Sequence, residues 1–159
     1  MSFLSHLTLD TPGLALYALP AAFFVGLAPH VQKIMLFESS GIKIDNRSPR
    51  SVTSAAEKKG IPAPLLAKAD RLAAAHQNGI ENFPLFAAAV LAGTAAGLPA
   101  AKVNLFAGAY LGLRVVYNLA YANQTTLAIA GVRSLAFWIG TGWAFYIMCS
   151  AGSALGAKA

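Results

Sequence analysis

The sequence predicts an all-α integral membrane protein folded as a four-transmembrane-helix bundle, and three observations lead there. The 159 residues are 57% hydrophobic and 11% charged, where an ordinary soluble domain carries about 25% charge. The length suits four spans of about 20 residues each, the number needed to cross a hydrocarbon core. Most of the positive charge is gathered in one interhelical segment, between Lys33 and Arg71.

Thr11-Pro12 opens the first helix, with an N-cap candidate followed by proline in the first turn. This helix is expected over residues 12–37, with Pro20 and Pro29 as kinks of the kind that membrane helices tolerate. A basic loop follows over 38–63, containing Asp45-Asn46-Arg47-Ser48-Pro49-Arg50 and Glu57-Lys58-Lys59. Helix two is expected over 64–97 and helix three over 99–122, the latter opened by Pro99. The polar link Asn123-Gln124-Thr125-Thr126 leads into helix four, over 127–149. The Gly/Ala-rich tail from Ser150 is expected to fray. Small residues recur through all four helices, among them Ala92-Gly93, Gly108-Ala109 and Gly140, and permit close helix approach. Four short spans bury little by themselves, so a homo-oligomer is expected. The chain reads as a single membrane domain, 1–159.

Loop charge sets the orientation. Eight Lys/Arg residues lie between Lys33 and Arg71, whereas the opposite side carries only Lys102 and Lys158. By the positive-inside rule the first loop is cytosolic, and four spans then leave both termini extracytoplasmic or lumenal. Residues 1–11 contain no Lys or Arg, and the apolar run from Gly13 exceeds a signal-peptide core, so helix one is expected to persist as an anchor. The net charge of +6 follows membrane topology and does not indicate nucleic-acid binding. Contact of the basic loop with anionic membrane lipid would be a consequence of that topology. The lone Cys149 excludes an internal disulfide, and no second His or carboxylate stands at ligand spacing, so no metal site is expected.

Helix two carries the chemistry. Arg71, Ala74, Asn78, Glu81 and Leu85 step by three and four residues and share one face, with His76 and Gln77 at its sides. Arg114, Tyr117 and Tyr121 share a face of helix three, and Arg133-Ser134 lie two turns into helix four. All of these fall in the cytosolic halves of their helices. Ionisable side chains at a span centre cost about 2.5–3.5 kcal/mol each and so usually serve a purpose. Arginines suit carboxylates, Glu81 suits an ammonium or a partnering arginine, and the amide and phenol groups can orient a charged, peptide-like ligand. Structural readings stand beside these. Glu81 could pair with Arg114 or Arg133 to fix packing. Tyr117 and Tyr121 could be interface-belt aromatics. Arg71 could snorkel to the headgroups, and His76 could be a packed neutral imidazole.

The run Ala75-His76-Gln77-Asn78-Gly79-Ile80-Glu81-Asn82-Phe83-Pro84-Leu85-Phe86, preceded by Asp70-Arg71, resembles the second-helix signature of the MAPEG family, membrane-associated proteins in eicosanoid and glutathione metabolism. Arg114-x-x-Tyr117-x-x-x-Tyr121 is similar to the family's helix-three pattern, and Arg133-Ser134 resembles the start of helix four in the prostaglandin E synthase branch. The resemblance implies a homotrimer with glutathione bound between subunits near the cytosolic face. By position it implies that Asn78, Glu81, Arg114, Tyr117 and Tyr121 hold the tripeptide, and Arg71 and His76 of the same helix are taken as further glutathione-binding residues. It further implies that Arg133 stabilises the thiolate, which would attack a lipophilic electrophile or reduce a lipid hydroperoxide. Ala74 stands where the family pattern has a second arginine, which removes one cation from the pocket. His76, Gln77 or Lys33 could take its place. The expected function is therefore a glutathione-dependent transferase or peroxidase. A non-catalytic membrane binding or scaffold protein is the alternative, ahead of a small transporter using Glu81.

Overall fold

The computed structural model describes residues 7–42, 47 and 61–158. A short 3₁₀ helix, Leu14–Tyr17, leads into α1 (Ala18–Ser39); α2 (Ala63–Ala95), α3 (Ala100–Ala122) and α4 (Leu127–Gly156) complete the bundle. The segment from Leu14 to Ser39 and helix α4 are long and apolar enough to cross a membrane. Helix α2 has 33 residues and at 1.5 Å per residue measures about 50 Å, well beyond a hydrocarbon core of about 30 Å. Most of the basic loop lies outside the described residues.

Helices α2 and α3 form the central pair, with α1 packed along α2 and α4 along α3. The core is aromatic. Phe86 of α2 stacks on Tyr110 of α3 at 4.3 Å between ring centroids, and Phe106 lies 5.7 Å from Phe86. Ala89, Val90, Ala107, Ala144 and Ile147 fill the space around them. At the other end of α1, Phe37 and Ile42 pack on Ala69.

Helix α1 is fastened to its neighbours through side chains that repair its backbone. Pro29 has no N–H, so the carbonyl four residues earlier, that of Val25, loses its helical donor. Asn118 of α3 donates its Nδ2 to that carbonyl at 2.8 Å. The next carbonyl, Gly26 O, accepts from His76 Nδ1 at 2.8 Å. Nearer the N-terminus the buried Asn104 accepts from Ala15 N at 2.8 Å and donates to the carbonyls of Leu9 and Thr11 at 2.7 and 2.8 Å. One asparagine of α3 therefore holds the entry to α1 and another satisfies the carbonyl that Pro29 leaves without a donor.

The ends of α2 and α4 differ from the sequence expectation. Helix α2 stops at Ala95, where Gly97 adopts φ +72° and Leu98 N donates back to Gly93 O at 3.0 Å. That is a glycine-dependent Schellman cap, and Pro99 behind it prevents continuation. Helix α4 does not fray at Ser150; it runs on to Gly156. Alanine is the strongest helix former, Ala144, Ile147 and Ala151 continue one buried stripe, and two lysines tie the end down. Lys102 Nζ donates to Ser150 Oγ at 2.9 Å, and Lys158 Nζ donates to Ala96 O at 2.9 Å.

Helices α1 and α2 cross at a pair of glycines. A Cβ added to Gly79 would lie 2.9 Å from Gly26 Cα, a backbone atom that no rotamer change can move. Gly79→Ala should therefore destabilise the protein by about 1–3 kcal/mol through overpacking, despite the better helix propensity of alanine. Gly108→Ala, which meets nothing within 4 Å, should cost nothing. Thermal unfolding of the two variants in detergent checks the contrast.

Candidate functional site

The buried centre of the polar stripe is Arg114, 8% exposed on α3. Its Nη1 donates to Asn78 Oδ1 at 2.7 Å and its Nε donates to Tyr110 Oη at 3.0 Å. Its Cζ lies 5.2, 5.4 and 5.9 Å from the ring centroids of Tyr110, Tyr117 and Phe137. Neutral oxygens and aromatic faces thus surround a full positive charge. Behind it, between α1, α2 and α3, is a void of only about 10 Å³ lined by Gly26, Gly79, Tyr110 and Asn118.

In front of Asn78 the bundle opens into a cleft of about 220 Å³, lined by Asn78, Tyr117, Tyr121, Arg133, Ser134, Phe137 and Trp138. Asn78 of α2 and the two tyrosines of α3 line one side, and α4 lines the other with Arg133 and Ser134 beside the apolar Phe137 and Trp138. Tyr117 and Tyr121 meet edge to face at 5.5 Å, and Phe137 and Trp138 do so at 5.1 Å. Arg133 lies with its Cζ 4.9 Å from the Tyr121 ring centroid; Nη1 donates to Gln124 Oε1 at 2.6 Å and Nη2 to Ser134 Oγ at 3.3 Å. Because Asn78 Oδ1 is taken by Arg114, the amide Nδ2 remains as its donor for a ligand.

Asn78, Tyr117, Tyr121 and Arg133 are thus brought together around one opening, with Arg114 immediately behind. Three other candidates do not line the cleft. Arg71 Nε donates to Ala122 O at 3.3 Å, serving an orphan carbonyl at the C-terminus of α3. His76 faces α1, bonded to Gly26 O and 5.0 Å from the His30 ring. Glu81 is exposed on the outer face of α2, where its Oε1 accepts from Gln77 Nε2 at 2.8 Å. It makes no ion pair with Arg114 or Arg133, so the packing role open to it in the sequence is not realised within this protomer.

Four contributors were not read from the sequence. Tyr110 stands four residues before Arg114, the spacing at which helical side chains meet, and that signal was present. Phe137 and Trp138 look like any apolar residues of a span. Gln124 sits in the link, and only the folded turn brings it to Arg133.

Since Tyr110 accepts from the buried guanidinium, Tyr110→Phe leaves Arg114 Nε without its oxygen while preserving the stack on Phe86. The expected cost is about 1.5–3 kcal/mol, the range for a hydrogen bond to a charged group. It should appear as a lowered melting temperature in detergent with unchanged helical circular dichroism before melting.

A family model described as the MAPEG family matches residues 17–153. No curated protein sequence and no solved structure matches the chain. The match spans the 3₁₀ turn's last residue through most of α4, and it includes every residue that lines the cleft. MAPEG is a membrane family, in keeping with the two helices long and apolar enough to span a bilayer. On this match over nearly its whole length, the all-helical chain belongs to the MAPEG family, and its function is of the general type that unites that family, membrane-associated glutathione or eicosanoid metabolism.

Proposed function

We propose that this protein is a glutathione-dependent transferase or peroxidase acting on lipophilic electrophiles or lipid hydroperoxides at the membrane. The observation that carries the reading is a charge imbalance: Arg114 and Arg133 flank one cleft, and neither meets a carboxylate among the described residues. A buried cation without a counter-ion is expensive, and a carboxylate- and thiol-bearing tripeptide would supply the missing negative charge. Asn78 Nδ2 and the phenols of Tyr117 and Tyr121 would orient it. Bound there, glutathione would contribute a thiol whose ionised form is the nucleophile. The guanidinium of Arg133, always protonated, favours that form by proximity of opposite charge. Phe137 and Trp138 give the cleft an apolar wall from α4, suited to a partner arriving from lipid.

The oligomer belongs to the same proposal. A cleft of about 220 Å³ falls short of the roughly 300–1,000 Å³ of typical small-molecule sites. The exposed Gln77–Glu81 pair leaves a charge on the outside of a membrane helix. A neighbouring copy covering this part of α2 would both enlarge the site and remove Glu81 from lipid, as in the homotrimer that the family resemblance implies. The four helices then span the membrane with the first loop cytosolic and both termini on the far side, the arrangement that loop charge favours. One observation favours the second reading, a binding or scaffold protein without catalysis. Ala74, on the α2 face shared by Arg71 and Asn78, brings no cation to the site.

Glutathione titrated into the detergent-purified protein tests this through the ultraviolet absorbance of the thiolate. The wild type should generate thiolate, Arg133→Ala should lose most of it, and Lys102→Ala, whose ammonium is bonded to Ser150, should retain it. Absence of binding at millimolar glutathione would contradict the enzymatic reading and favour the non-catalytic one.

A further inference from the structure

We propose that Gln124, in the turn between α3 and α4, is the positioning residue of Arg133: a neutral acceptor that fixes the guanidinium beside the cleft and leaves its charge uncompensated. The inference rests on the glutathione reading given above. Arg133 has three partners, Gln124 Oε1 at 2.6 Å, Ser134 Oγ at 3.3 Å and the Tyr121 ring at 4.9 Å, and all three are neutral. The Gln124 contact is the shortest of these and the only one reaching Arg133 from the turn. A guanidinium carries five N–H donors, so these two oxygens leave others available to a ligand.

The turn is built to present this amide. Asn123 Nδ2 donates to Leu119 O at 2.9 Å and Gln124 N donates to Tyr121 O at 3.4 Å, which continue the end of α3. Thr126 Oγ1 accepts from Ile129 N at 3.3 Å and starts α4. Gln124 is therefore held between two helix ends, nine residues before the side chain it bonds. A glutamate at this place would reach the same nitrogen with the same shape. It would also place a full negative charge on Arg133 and oppose ionisation of a nearby thiol. Glutamine supplies direction without that opposition.

Gln124→Glu separates charge from geometry, and Gln124→Met removes the oxygen at similar volume. The other charged or titratable groups about the cleft, Tyr117 and Tyr121 on α3, Arg114 behind Asn78, and Glu81 on α2, are the same in all the proteins compared. The measurement is the pH dependence of thiolate absorbance at saturating glutathione, with affinity followed by calorimetry. Gln124→Glu should move the thiolate midpoint up by roughly one pH unit, so that the thiolate fraction below the midpoint falls about tenfold. Gln124→Met should lower the thiolate yield while the melting temperature stays near that of wild type. Curves for both variants superimposable on wild type, with the signal still lost in Arg133→Ala, would overturn the role of Gln124 and leave the glutathione reading intact. A wild type that forms no thiolate would instead overturn the glutathione reading, and this inference with it.

Discussion

A buried guanidinium dictates much of what surrounds it. A buried charge is expensive unless it is paired and hydrogen-bonded, so Arg114, 8% exposed, can stay inside only if its donors and its charge are both met. The hydrogen bonds to Asn78 and Tyr110 meet donors, each worth about 1.5–3 kcal/mol when one partner is charged. The faces of Tyr110, Tyr117 and Phe137 answer part of the charge. These requirements fix side chains on α2, α3 and α4 at once. Tyr110 then links the polar site to the apolar core, because its ring is also the one stacked on Phe86. Site and core are one packing problem here, and a change to either is felt by the other.

The residual charge gives the cleft its chemical character. Aromatic faces and amide oxygens attenuate a cation but do not neutralise it. Arg114 therefore projects positive potential past Asn78, towards the opening where Arg133 adds its own. Glu81, the acidic side chain of the helix-two stripe, is exposed and bonded to Gln77, at the margin of the cleft and not among its lining residues. An anionic ligand entering such a cleft meets no competing carboxylate among its lining residues. Hydrophobic partners meet Phe137 and Trp138 on the other wall. Polar and apolar groups meet in the cleft because α2 and α3 bring the amide and phenols while α4 brings Phe137 and Trp138 together with Arg133 and Ser134.

Much of this was legible in the sequence. The number and order of helices followed from apolar length, proline placement and the polar link, and the convergence of Asn78, Arg114, Tyr117, Tyr121 and Arg133 followed from spacing and depth. What could not be read was the direction of side chains answering to backbone irregularities elsewhere. His76 lies beside the stripe, yet the Gly26 carbonyl draws it to α1, next to the Val25 carbonyl that Pro29 leaves free for Asn118 of α3. Arg71 shares the stripe with Asn78, but an orphan carbonyl at Ala122 takes it. Periodicity reports which residues share a helix face; it does not report which unsatisfied group on another helix will claim them. The persistence of α4 to Gly156 has the same origin, since Lys158 caps the carbonyl of Ala96 across the bundle.

The most direct test of the account is an electron cryo-microscopy map of the purified protein with glutathione, resolved well enough to show side chains. The account predicts tripeptide density in the cleft bounded by Asn78, Tyr117, Tyr121 and Arg133, its sulfur beside the Arg133 guanidinium, with a second copy of the chain closing the open side over Glu81. Density bound elsewhere, or a cleft filled by lipid alone at saturating glutathione, would contradict it.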